Sequence, residues 1–276
     1  MTAILQLSDT HIVRAGERAY GVVDTGTALA KGVAAIKQIA PQLGPIDAIV
    51  VTGDLTDFGE PEEYARFLDL MRDLPAPLFA VPGNHDRREP MRAAFSNTIW
   101  MPSGGPIQWV SALKDFAIIG LDTLVEGQGS GALCEQGVSF LKAALDRLSP
   151  KPVMIAVHHP PFLTGIPTMD AQGFDNRDAL LALLSDYEGP AQIICGHVHR
   201  MVVSYLGAIP AIIAPGTSHA VKLEFRAEEP NSLMLEPPGM MLHRWSGSGF
   251  QSHLVHLGAF EGPYPFYKDD VLPLGQ

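Results

Sequence analysis

Five short apolar runs constrain this chain most, because each is continuous enough to be buried on both faces and each stops at a polar island. The runs are Ala3 to Leu7 (interrupted only by Gln6), Ala48 to Val51, Leu78 to Val81, Val153 to Val157 and Ile193 to Cys195. Stretches of this kind read as buried strands. Between them lie helical patterns. Asp24 to Leu43 places Leu29, Val33, Ile36 and Ile39 on one face and should stop at Pro41 and Gly44-Pro45. Glu60 to Leu74 opens with Pro61 and aligns Tyr64, Phe67, Leu68 and Met71, and two further helices are expected at Glu135 to Leu148 and Asn176 to Leu184. With a sixth apolar run at Phe116 to Leu121, the alternation predicts an α/β fold with a largely parallel sheet and helices outside.

The pattern changes after about Val202, where short β-type runs follow one another between Gly, Pro and Ser turns. Some should finish the sheet. Those beyond residue 220 read as a β-rich appendage, which divides the chain into a domain at 1–220 and a cap or oligomerisation region at 221–276. His243, His253 and His256 fall there on alternating patterns and are expected at the surface. The segment Gly262 to Tyr267, with two prolines, should be an irregular arm packed on this chain or on a neighbour.

The formal net charge of -11 and the absence of any Lys/Arg run count against a nucleic acid polymer as partner. Cys134 and Cys195 stand far apart in no paired motif and read as reduced thiols. The chain opens directly on a strand without a leader pattern, and no stretch reaches the roughly 18 apolar residues of a membrane span. Together these predict a soluble cytoplasmic protein with no membrane partner.

The islands after the five runs carry the chemistry: Asp9-Thr10-His11, Gly53-Asp54, Gly83-Asn84-His85-Asp86, His158-His159 and Gly196-His197-Val198-His199. Taken singly, an Asp after a strand is usually a cap, Gly-Asn an ordinary turn and His-x-His surface decoration. Six of the ten histidines nevertheless fall in these islands, which favours a site over coincidence. Asp9 and His11, at i and i+2, share one side of an extended chain. The two oxygens of Asp54 can bridge two cations about 3.5–4 Å apart. Mixed nitrogen and oxygen donors suit Mn, Fe, Co or Zn better than Ca or Mg.

As a set, D-x-H, G-D-x-x-D, G-N-H-D, a histidine pair and G-H-x-H, in this order over residues 9 to 199, resemble the calcineurin-like metallophosphoesterases. Ser8-Asp9-Thr10-His11, Thr52 to Asp57, Pro82 to Asp86, His158-His159-Pro160-Pro161 and the overall length are most similar to the bacterial class III cyclic nucleotide phosphodiesterases and glycerophosphodiesterases. The protein phosphatases of the family usually carry Glu where this chain has Asp86. The resemblance implies a four-layer α/β/β/α sandwich. It assigns Asp9, His11, Asp54 and His199 to one metal, and Asp54, Asn84, His158 and His197 to the other, with His159 behind them. It also implies His85 as proton donor or charge stabiliser, oriented by Asp57, and Asn84 and His85 as substrate contacts. His219, after another apolar run, is a further candidate substrate contact.

Two divalent ions of about +4, two carboxylates of about -2 and a bridging hydroxide of about -1 leave a site near +1, suited to a singly charged phosphodiester. The expected reaction is therefore hydrolysis of small phosphodiesters by a metal-bridging hydroxide. The competing readings are a phosphomonoesterase, a nuclease, and a metal-free scaffold on the same fold. Arg87, Arg88 and Arg200 are the only cations flanking the islands, which favours diesters over dianionic monoesters.

Overall fold

The computed structural model describes residues 1–266 as an α/β protein built on two sheets. The first sheet runs in the order Phe250–His256, Gly239–Trp245, Ala3–Leu7, Ala48–Thr52, Leu78–Val81. Its last three strands are parallel and the C-terminal pair is antiparallel. The second sheet runs Val202–Leu206, Ile209–Ile213, Ala191–Cys195, Val153–Ala156, Ala117–Gly120, Trp109–Ala112, parallel through its four central strands. All five runs singled out above are strands.

Side-chain alternation explains why these runs are apolar without interruption. Ile118, Met154 and Ile194 of the second sheet pack into the same core as Leu5 and Val50 of the first. Their neighbours Ile119, Ile155 and Ile193 turn the other way, onto Leu141 and Leu145 of helix Glu135–Leu148 and Leu180 and Leu184 of helix Arg177–Ser185. Helices Thr25–Leu43, Pro61–Met71 and Arg88–Ala94 cover the first sheet through Leu29, Ile36, Phe67 and Met91.

Helix boundaries follow local chemistry. Asp24 caps the first helix by accepting from Thr27 N at 3.0 Å. Pro41 does not stop this helix; it lies in the final turn, and the chain leaves at Gly44, whose φ of 81° is open to glycine. The second helix starts with a capping box between Glu60 and Glu63 and ends at Met71, three residues earlier than its apolar pattern implies. Helix Arg88–Ala94 gave no pattern long enough to read.

Two expectations about the C-terminal region are corrected. Strands Gly239–Trp245 and Phe250–His256 do not stand apart from the main domain. They extend its first sheet, with Leu242 opposite Leu5, because Met240, Met241 and Leu242 are apolar enough to be buried there. Residue 220 therefore marks no boundary in that sheet; beyond it, the short pair Ala220–Val221 and Leu233–Met234 forms a two-stranded piece of its own, as Gly131–Ala132 and Phe174–Asp175 do earlier in the chain. His243 is fully buried and not at the surface, held between Gln6 Oε1 at 2.9 Å and Ser252 Oγ at 2.7 Å, whereas His253 and His256 are exposed. Residues 262–266 of the expected arm are irregular; Tyr267 and the residues after it lie outside the described part. No helix among the described residues is long and apolar enough to cross a membrane.

Candidate metal centre

Five parallel strands, three from the first sheet and two from the second, deliver the islands to one place. The returning backbones are tied together: Asp9 N donates to Gly53 O at 3.1 Å, His11 N to Asp54 O at 2.9 Å and Gly196 N to His158 O at 3.0 Å. The turns are tight. A Cβ on Gly53 would collide with the His158 ring, and one on Gly196 with Ser8 Oγ. Seven non-glycine residues among those described have positive φ, and five of them are Asp9, His11, Asp54, His197 and His199. Each costs about 1–2 kcal/mol in that conformation, so its concentration on candidate ligands marks a site that the surrounding structure over-determines.

The side chains converge as closely as the backbones. Asp54 Oδ2 lies 3.5 Å from His11 Nε2 and 3.3 Å from His158 Nε2, while its Oδ1 accepts from His85 N at 2.8 Å. His199 Nε2 is 3.4 Å from Asp9 Oδ1 and 3.2 Å from His11 Nε2. On the other side, Asn84 Oδ1 is 3.0 Å from His158 Nε2 and 2.9 Å from His197 Nδ1. His158 gives its Nδ1 to Thr52 O at 2.8 Å, which turns Nε2 inward. Asp9 Oδ2 is buried with no hydrogen-bond partner. A buried carboxylate oxygen without a donor, beside facing imidazole nitrogens, fits cations held between these groups.

Electrostatics sort the same residues. Burial pushes the Asp9 carboxyl up to about 6. Burial opposes ionisation of Asp54 too, but His158 foremost, then His85 and His11, hold it well below the usual carboxylate range. Burial would lower His158, yet the facing Asp54 carboxylate lifts it to about 9. Burial and the neighbouring His158 push His197 down to about 3. Burial, with His11 and His219, holds His199 well below its ordinary value. The last two are thus neutral imidazoles, the form that ligates metal.

Residues 2–201 match the family model described as calcineurin-like phosphoesterase. The chain belongs to the calcineurin-like phosphoesterase family. It is 36% identical over 270 residues to a probable glycerophosphodiester phosphodiesterase of Arcobacter nitrofigilis, covering 96% of this chain and 97% of that relative. It is 32% identical over 228 residues to a cAMP/cGMP dual specificity phosphodiesterase of Mycobacterium tuberculosis, covering 81% and 70%. Its fold resembles a dimetal phosphatase from Danio rerio, with a TM-score of 0.59 at 15% identity over 93% of this chain and 99% of that one.

In this phosphoesterase the seven expected ligands Asp9, His11, Asp54, Asn84, His158, His197 and His199 all reach one cluster. His158 and not His159 faces Asp54; His159 Nδ1 hydrogen-bonds with Thr123 Oγ1 at 2.8 Å. Asp57 does meet His85, but chiefly through its backbone. Its Oδ1 lies 2.9 Å from His11 Nδ1 but 3.5 Å from His85 Nδ1, and it is the Asp57 backbone carbonyl that holds His85, at 2.9 Å. His219 is buried against His199, ring centroids 4.5 Å apart, and burial with His11 pushes it down to about 3. Trp100 and Trp109 pack inward, donating to Leu78 O and Ala80 O, and leave the cavity alone.

A cavity of about 270 Å³ opens on the cluster, lined by Asp54, Asn84, His85, His197, His199 and His219. Its remaining wall comes from Tyr20, Met169, Gln172, Val221 and Asn231 to Leu233. Tyr20 could have been suspected from its place in the loop just after His11. Nothing local in the sequence marks Gln172 or Asn231.

Proposed function

We propose that this phosphoesterase hydrolyses small phosphodiesters, 3',5'-cyclic nucleotides, glycerophosphodiesters or both, at a pair of Fe, Mn, Co or Zn ions. One observation carries the reading: Asp54 Oδ2 stands within 3.5 Å of His11 Nε2 and 3.3 Å of His158 Nε2, one carboxylate oxygen shared by two donor groups. Asp9, His11, Asp54 and His199 would hold the first ion; Asp54, Asn84, His158 and His197 the second. When bound, the ions supply positive charge for the phosphate oxygens and lower the pKa of water toward neutrality. The relatives named as glycerophosphodiester and cyclic nucleotide phosphodiesterases support the same reaction class.

The protein's own groups do the rest. Asn84 and His85 line the cavity beside the ligands and contact the phosphate. His85 donates Nδ1–H to the Asp57 carbonyl, which leaves Nε2 to hydrogen-bond or protonate the departing alcohol oxygen. His219 contacts substrate from the side of His199. The cavity lining includes no Lys or Arg. Arg87, Arg88 and Arg200 are engaged by Glu60, Asp122 and Glu236, so among the described residues none of these three is left for the second charge of a monoester. Diesters are favoured for that reason.

Metal content measured beside hydrolysis of an aryl phosphodiester, cyclic AMP, a glycerophosphodiester and an aryl monoester tests the proposal. Diesters should be turned over with two ions bound. A metal-free protein, or faster cleavage of the monoester, would overturn it. We also assign the protein to the cytoplasm as a homo-oligomer assembled through its C-terminal region, where strand Phe250–His256 is a sheet edge with Leu254 exposed. Mass measurement in solution, with and without the residues after 246, tests the assembly.

A further inference from the structure

We propose that Gln172 and Asn231 read hydroxyl groups on the alcohol portion of the substrate, and so favour diesters of polyhydroxy alcohols. This rests on the phosphodiester reading above and adds a specificity to it. Both residues line the cavity that opens on the metal ligands. Both turn their amide nitrogens to a single thioether: Gln172 Nε2 lies 3.6 Å and Asn231 Nδ2 3.7 Å from Met169 Sδ. Sulfur can only accept, so this contact fixes which end of each amide is the donor. The oxygens Gln172 Oε1 and Asn231 Oδ1 then have no hydrogen-bond donor among the described residues.

Ser232, next along the wall, directs its hydroxyl hydrogen to Pro230 O at 3.0 Å and likewise presents oxygen lone pairs. These neutral oxygens, with no cation among them, accept from O–H donors and offer a phosphate anion no charge. The phosphate is thereby left to the ligand side of the cavity and the alcohol to this side. The two amide acceptors suit an alcohol with two free hydroxyls better than one with a single free hydroxyl. Each neutral hydrogen bond gained corresponds to about three- to tenfold in affinity.

Two synthetic diesters isolate the effect: 4-nitrophenyl 2,3-dihydroxypropyl phosphate and 4-nitrophenyl propyl phosphate, which share a leaving group and differ by two hydroxyls. The metal-loaded parent should prefer the dihydroxypropyl ester by about tenfold or more in kcat/KM, chiefly through KM. Gln172→Ala and Asn231→Ala should each reduce that ratio, and the double variant should bring it close to one. A parent that cleaves both esters equally, or a double variant that keeps the full ratio, overturns the assignment. A parent that cleaves neither ester overturns the phosphodiesterase reading instead, so the two failures are distinguishable.

Discussion

Asp57 turns its carboxylate to His11, with Oδ1 2.9 Å from Nδ1, and offers His85 its backbone carbonyl at the same distance. A carboxylate behind a ligating imidazole fixes the ring and strengthens it as a donor. Asp57→Asn should therefore weaken metal binding about ten- to hundredfold. His85 keeps its carbonyl partner in that variant. Metal titration decides the matter: unchanged affinity with a lower rate would mean that the Asp57 carboxylate acts through His85.

His85→Ala should give the opposite split. The hydrogen bond from His85 to Asp54 comes from its backbone N–H, which alanine retains. Two ions should remain bound while kcat on an alkyl diester falls about 10²- to 10⁴-fold, the usual contribution of a positioned proton donor. An aryl diester, whose leaving group needs no proton, should suffer less. Equal losses on both substrates would remove His85 from the role of donor.

Asp54→Ala removes the oxygen common to both donor groups and leaves the buried His11 and His158 without the carboxylate they face. Metal pairing and turnover should both be lost. Elemental analysis after dialysis against manganese, together with a diester assay, checks this; a variant that still binds two ions and turns over would sink the dimetal assignment.

Asp86 gathers five donors: Leu55 N, Thr56 N and Thr56 Oγ1 from the turn after the second strand, Gly83 N from the turn after the third, and Tyr64 Oη. It thereby locks the turn that carries Asp54 to the turn that carries Asn84. Asp86→Ala would leave these donors buried and unpaired, and should destabilise the protein by about 3–5 kcal/mol, as when one partner of a buried charged network is removed. Denaturant unfolding of metal-stripped protein measures it without the contribution of bound ions. A loss below about 1 kcal/mol would contradict the lock.

The legible part of this molecule was the part written locally. Runs such as Val153 to Val157 are apolar throughout because Met154 and Ile155 enter different cores, and the candidate ligands follow those runs by one to four residues. What escaped was set by distant partners. Gln6 and His243 are 237 positions apart, and neither pattern says that they bond. Alternation in Gly239–Trp245 reads as strand but does not reveal which sheet it joins, so the sequence places the C-terminal strands in an appendage. Asp57 holds His85 by its carbonyl and His11 by its carboxylate, and residue order alone does not say which group each histidine takes. Gln172 and Asn231 carry no local signal; their common anchor, Met169, is what brings them together.

His243 supplies a pH prediction away from the ligands. Gln6 Nε2 donates to Thr52 Oγ1 and Cys195 O, both at 2.9 Å, so Gln6 Oε1 must accept from His243 Nε2–H. Nδ1 is then the acceptor for Ser252 Oγ at 2.7 Å and Gln192 Nε2 at 3.2 Å. All three partners suit a neutral ring, and burial foremost, then His253 on the adjacent strand, pushes its pKa down to about 3. The folded value lies below that of an unfolded histidine, about 6.5, so the unfolded chain takes up the proton first. Stability is therefore lost as pH falls below about 6.5, at about 1.4 kcal/mol per unit from this residue, or about 2 kcal/mol by pH 5. His243→Gln removes the titration. It should be less stable than the parent at neutral pH but lose less on acidification, so that the gap between the two narrows by about 2 kcal/mol between about pH 7 and pH 5. Urea unfolding of both proteins across that range reads the gap directly, and because every other histidine is common to the pair, a gap that stays constant would mean that His243 is not held neutral by its burial.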